Sequence, residues 1–308
     1  MRISRREFIR TGAAFTASTL LGARVLPASA VQQRKGPSTP DLIVVKGTDY
    51  YQSTLKAVEL LGGIQRFVPK GSTVGLLVNS RFGKPGSYVK PEITLAVLSL
   101  CFSAGAKGVY SLEGLSESYW ERSDRTRKLN EMIRSLREPR DHVAAEIKGG
   151  KAVKKVEIVP ELLECDVFIN VPVVKDHEGT RFTCTMKNMM GATSHSTNGY
   201  FHRGSNSGGY YSDVDFLSQC IADLNLLRRP TLSVVDATEF LTTNGPSGPG
   251  NIAKRHSVVA ASSGVAADAY CTSFLGLNPR DIAMIRKARE HGLGETDPAK
   301  LEVKEIML

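Results

Sequence analysis

The five cysteines of this 308-residue chain, Cys101, Cys165, Cys184, Cys220 and Cys271, are isolated and never spaced C-x-x-C. That argues against a self-contained iron–sulfur cluster or a structural zinc site. Aromatic residues make up 7% of the chain and do not interleave with its basic runs, so no nucleic-acid partner is expected. No G-x-S-x-G elbow and no H-x-x-x-H or H-x-x-E-H spacing occurs, which leaves neither a hydrolase elbow nor a compact zinc motif. No stretch after the N-terminal region approaches the roughly 18 apolar residues that a membrane span needs. There is no internal repeat, and tryptophan occurs once, as Trp120.

The formal charge is +9, and its distribution matters more than its size. Residues 1–30 hold five arginines against one glutamate, so +4 sits there and a mild +5 remains for the rest. Within that segment Ser4-Arg5-Arg6-Glu7-Phe8-Ile9-Arg10 precedes an uncharged stretch over 11–23 and then Ala28-Ser29-Ala30. A charged region, a short apolar region and a small-residue cleavage site make up an export signal. The paired arginines before Phe8 resemble a twin-arginine signal, S-R-R-x-F-[LI]-[KR]. The expectation is a signal peptide over 1–30 cleaved after Ala30, a polar linker over 31–40, and one α/β domain over 41–308. The twin-arginine translocase is then a partner during export, and the mature protein is periplasmic or otherwise extracytoplasmic.

Along the domain, short apolar runs alternate with helical periodicity. Strands are expected at 42–45, 74–78, 109–112, 144–147, 154–159, 166–169, 232–235, 257–261 and 301–306. Helices are expected where Leu55, Val58 and Leu61 recur, from Pro91 to the stop at Gly105, behind a Ser212 cap, and over 265–275 and 279–290. The charged segment 116–142 reads as a solvated helix. This order predicts a three-layer α/β fold, a mostly parallel sheet with helices on both faces.

Residues 170–204 are hardest to explain as scaffold. They gather Lys175, His177, Lys187, Asn188, His195, His202 and Arg203 behind a buried strand, in what reads as a loop-rich segment. Lys175 and His177 are two apart, so an extended backbone would turn them to one face, where they suit a carboxylate or phosphate. Lys187 beside Asn188 pairs a cation with an amide able to orient an oxyanion. Asp236 is expected just past the end of its strand, with Glu239 in the following loop, where α/β sheets place working carboxylates. These five residues, Lys175, His177, Lys187, Asn188 and Asp236, are the catalytic candidates. Asn79, Asn244 and Asp268 are the candidates for cofactor binding, and His177, His202 and Asp236 for a metal ion, imidazole suiting zinc, iron or copper.

The blocks Asn170-Val-Pro-Val-Val-Lys-Asp-His177 and Thr185-Met-Lys-Asn-Met-Met-Gly191 occur in order with His202-Arg203, Val235-Asp236, Asn244-Gly-Pro-Ser-Gly248 and Ala266-Ala-Asp-Ala269. Together they resemble the domain of unknown function 362 family over nearly all of the mature chain. Some members carry attached ferredoxin-like cluster domains, so the resemblance implies a redox or metal setting and a redox partner protein. This chain departs from the pattern twice: Leu77-Val78-Asn79 replaces Lys-Pro-Asn, and Ser263-Gly264 replaces Asp-Pro. The functional expectation is an enzyme or redox-associated protein acting on a small anionic ligand, with a metal ion as the candidate cofactor. The alternatives are a non-catalytic periplasmic anion- or metal-binding protein and an accessory subunit of an exported redox complex.

Overall fold

Apolar runs with no polar alternation become strands covered on both faces. The computed structural model describes residues 39–128, 130–204 and 208–308. The proposed signal over 1–30, and most of the linker, lie outside the described residues. In chain order the elements are β1 (Leu42–Lys46), α1 (Tyr50–Leu60), β2 (Thr73–Val78), α2 (Pro91–Ser103), β3 (Gly108–Ser111), α3 (Glu117–Trp120), α4 (Arg125–Lys128) and α5 (Asn130–Arg134). They continue as β4 (Val143–Glu146), β5 (Lys155–Ile158), α6 (Pro160–Glu164), β6 (Val167–Val171), α7 (Thr185–Asn188), α8 (His195–Arg203) and α9 (Val214–Leu224). The rest are β7 (Leu232–Leu241), β8 (Ile252–Ala261), α10 (Gly264–Cys271), α11 (Ala283–Glu290) and β9 (Val303–Met307).

Seven strands form one sheet in the order β3-β2-β6-β7-β8-β1-β9. Every pairing in it is parallel except those of β8 with β7 and with β1. Helices α1 and α2 pack together, as do α9 with α11 and α7 with α10. The α/β fold with a mostly parallel sheet is therefore as expected. β4 and β5 pair as a separate antiparallel hairpin.

Three local expectations change. The segment 116–142 is not one solvated helix, since α3 ends at Trp120 and residues 135–142 lie outside any helix, and Trp120 is buried against Tyr119. The second change is that α9 is capped by Asp213, whose side chain accepts from the Phe216 amide at 2.8 Å, one residue after the expected Ser212. The third concerns β7, which does not stop before Asp236 but runs on to Leu241, paired with β8 through a bulge between Ala237 and Glu239. Asp236 and Glu239 are consequently inside a strand, not on a loop. A carboxylate survives there because Asp236 is fully partnered, accepting from the Thr238 amide at 2.8 Å and the Thr238 hydroxyl at 2.6 Å.

Candidate functional site

The order β3-β2-β6 brings the carboxyl ends of three neighbouring strands together, and α7 and α8 are packed nearby. β6 carries one polar residue, Asn170, in the otherwise apolar run VFINV. Its side-chain amide donates to the Thr185 carbonyl at 2.9 Å, and its oxygen accepts from Asn188 Nδ2 at 2.7 Å. Asn188 Oδ1 in turn accepts from Asn79 Nδ2 at 3.0 Å, and Asn79 Oδ1 accepts from Lys175 Nζ at 3.1 Å. Three amides thus form one directed chain from the start of α7 to a lysine, and each orientation is set by its neighbour.

Past β6 the chain stays extended, with Val173 bridging Asp236 and Lys175 bridging Thr183, and residues 176–182 turn between. Lys175 is 1% exposed. Its ammonium donates to Asn79 Oδ1 and, at 2.5 Å, to the Ser87 carbonyl, and it faces the Phe82 ring 4.9 Å away. Lys187 on α7 is differently placed. Among the described residues its ammonium meets no oxygen, only Met190 Sδ at 3.8 Å. Burial pushes both lysines down to about 7, and for Lys175 the charge of Lys187 adds to the effect.

Two imidazoles complete the cluster. In the turn, His177 Nδ1 accepts from the amides of Gly179 (3.0 Å) and Thr180 (3.3 Å). The proton of the neutral ring therefore sits on Nε2, which is buried with no hydrogen-bond partner. His202 Nδ1 lies 2.9 Å from the Asn198 carbonyl one turn back on α8, so its proton is on Nδ1 and its Nε2 presents a lone pair. The rings stack with centroids 6.2 Å apart, and Tyr211 meets both edge-on. Burial, followed by the charge of Lys187, holds both below the usual histidine range, His202 at about 4. Both rings are neutral near pH 7.

Glu113, just beyond β3, is pushed up to about 7 by burial, against the pull of Arg81 and Lys175. It lies over Gly191, where a Cβ would fall 2.4 Å from Glu113 Oε2, so a side chain there would displace the acid. The motif Met-Met-Gly191 carried that constraint in the sequence. Glu113 was a weaker candidate for its place at a strand end, whereas Asn170 and Tyr211 were not among the candidate site residues. The one polar residue in an apolar strand was the available signal for Asn170, whereas nothing local marks Tyr211.

The remaining candidates fall elsewhere in the architecture. Asp268 on α10 accepts from the amides of Thr185 at 2.7 Å and Met186 at 3.0 Å, and so caps α7. Asn244 is exposed with φ of 56°, its amide donating to the Pro249 carbonyl at 3.1 Å. Its neighbour Gly245 donates to Asp176 Oδ2 at 3.0 Å and sits so close to the 176–177 backbone that a Cβ would lie 1.7 Å from the Asp176 carbonyl oxygen. Asn244 thus belongs to a loop braced on the His177 turn. His195 begins α8, so His195 and His202 are on a helix and not in a loop.

The expected metal set of His177, His202 and Asp236 does not assemble. Asp236 is buried, with Oδ1 taken by Thr238 and Oδ2 accepting from the Lys90 amide at 2.7 Å. It ties β7 to the start of α2. Among the described residues no group of three or more His, Cys, Asp or Glu side chains is placed to hold a metal ion. Glu239 is likewise committed, to Lys90 at 2.8 Å and Lys254 at 3.5 Å. All five cysteines are free and buried.

A thylakoid-associated protein of Synechocystis sp. is 27% identical over 251 residues, 78% of this chain and 74% of its own length. The lactate racemase apoprotein of Thermoanaerobacterium thermosaccharolyticum superposes with a TM-score of 0.43 at 13% identity, over 63% of this chain and 50% of the racemase. A Thermotoga maritima protein gives 0.41 at 13% identity, over 85% of this chain and 62% of its own. The chain therefore spans half to under two thirds of those two structures. The profile of the family described as Domain of unknown function (DUF362) matches residues 74–273, which include every residue of the lysine–histidine cluster, and the chain belongs to that family.

Proposed function

We propose that this protein is an exported enzyme that binds a small organic anion in the lysine–histidine cluster and moves a proton on it. One observation carries the reading: two buried, stacked and neutral imidazoles hold opposite tautomers. His202 Nε2 is an acceptor, fit to take a proton as general base. His177 Nε2–H is a donor with no partner of its own, fit to bond an oxygen on which negative charge develops. The Lys175 ammonium, with two of its protons held by Asn79 and Ser87, has a third for the anion's carboxylate or phosphate. Asn188 and Asn79 orient that lysine, and Glu113 tunes it by charge.

The test is isotope exchange. Small 2-hydroxy and 2-oxo acids are incubated with the protein in deuterated buffer and their C–H signals followed by nuclear magnetic resonance. Exchange in the native protein, falling by about 100-fold or more in His202→Gln, is expected. A second reading, a non-catalytic extracytoplasmic anion-binding protein, is favoured by the Lys175 ammonium being locked between two fixed carbonyl oxygens. Calorimetric binding of these acids with no exchange in any of them would establish the second reading over the first.

A further inference from the structure

The two buried lysines of the cluster differ in a way that anion binding alone does not explain. Lys175 donates to two carbonyl oxygens. Both are acceptors only, so two of this nitrogen's donors are engaged, and the two bonds favour its charged form. Lys187 has no oxygen acceptor among the described residues, only the Met190 sulfur. An ammonium buried without oxygen acceptors holds its proton weakly, so the free amine is populated near pH 7. Lys187 as a residue is 9% exposed where Lys175 is 1%. α7 holds it in place through the Asp268 cap.

We propose that Lys187 is an imine-forming nucleophile for the carbonyl group of a small oxo acid whose carboxylate is held by the Lys175 ammonium. The Lys187 nitrogen lone pair adds to the carbonyl carbon, and the carbon–oxygen π pair moves onto oxygen, where the His177 Nε2–H meets it. His202 Nε2 takes one proton from the nitrogen and delivers it to that oxygen, giving a carbinolamine. The nitrogen lone pair then expels the hydroxyl group, the second amine proton leaves by the same imidazole, and one water departs. Amine and ketone become imine and water, with no oxidant or reductant required. The proposal rests on the anion-and-proton reading above and adds the covalent step to it.

Pyruvate and sodium cyanoborohydride with the purified full-length protein at pH 7 provide the test, read by peptide mass spectrometry. Reduction fixes an imine as a secondary amine, so the expected result is a gain equal to pyruvate less one oxygen atom, on the peptide carrying Lys187. Labelling there should exceed that of any exposed lysine by at least ~100-fold, because an exposed lysine holds almost no neutral amine at this pH. Lys187→Met, a near-isosteric change, should abolish it while circular dichroism stays native. Lys175→Met should keep the site of labelling but require higher pyruvate. Labelling scattered over exposed lysines, or surviving in Lys187→Met, would overturn the proposal. Calorimetric binding of pyruvate without labelling would overturn the imine and leave the anion reading standing. Neither binding nor labelling by pyruvate and its longer 2-oxo homologues would sink both.

Discussion

Lys187 destabilises the protein that carries it. Its folded value of about 7 lies below the ordinary 10.5, so between those pH values the unfolded chain binds a proton that the folded one does not. Stability from this group therefore rises as pH climbs from about 7 to 10.5 and is flat and unfavourable below. Lys187→Met should raise Tm at pH 6 by roughly 4 °C or more and by little at pH 10, a site residue whose loss stabilises the fold. The histidines act lower on the scale. His202, at about 4 against an ordinary 6.5, makes the unfolded chain the better proton binder in that window, so stability falls on acidification from pH 6.5 to 4. His202→Gln should flatten that slope in a urea titration repeated across pH. An unchanged slope would mean that the ring is already charged in the folded protein.

At the scale of elements, α7 is a four-residue helix carrying two site residues, too short to hold itself. Asp268 and the amide chain from Asn170 to Lys175 give it position. Asp268→Ala leaves the amides of Thr185 and Met186 without acceptors in a buried setting and should cost about 2–4 kcal/mol in urea unfolding. Asp268→Asn, which retains one acceptor oxygen, should recover part of that. Anion binding should weaken in step with the loss of the cap, because Lys187 and Asn188 ride on the helix. β7 makes the same point about placement. Its extension past Asp236 takes two carboxylates out of the site and into the sheet, one capping the approach to α2 and one holding Lys90 and Lys254.

At the scale of the molecule, the site exists because β3, β2 and β6 are neighbours although β3 and β6 are separated in sequence by the β4–β5 hairpin and helical segments. The export proposal also belongs to this scale. Replacing Arg5 and Arg6 together by lysine should leave the protein in the cytoplasmic fraction with its first residues intact, while the native protein, recovered outside, should begin at Val31. Export unaffected by the double change would remove the twin-arginine route.

The sequence by itself determined the parallel α/β order and the candidate stretch. Burial of a backbone segment needs an apolar run, and that is written locally in residues such as 74–78, whereas the cap at Asp213 and the length of β7 were not read from it. Lys175, His177, Lys187, Asn188 and His202 were legible as a group because they crowd one segment. What only the tertiary structure decided is how those groups are partnered. Asn79 meets Asn188 across 109 residues, and Asp268 meets Thr185 across 83. The tautomer of each histidine and the free or held state of each lysine depend on such partners. A side chain's chemistry is set by the atoms that replace its water, and those atoms come from distant parts of the chain that only folding brings together.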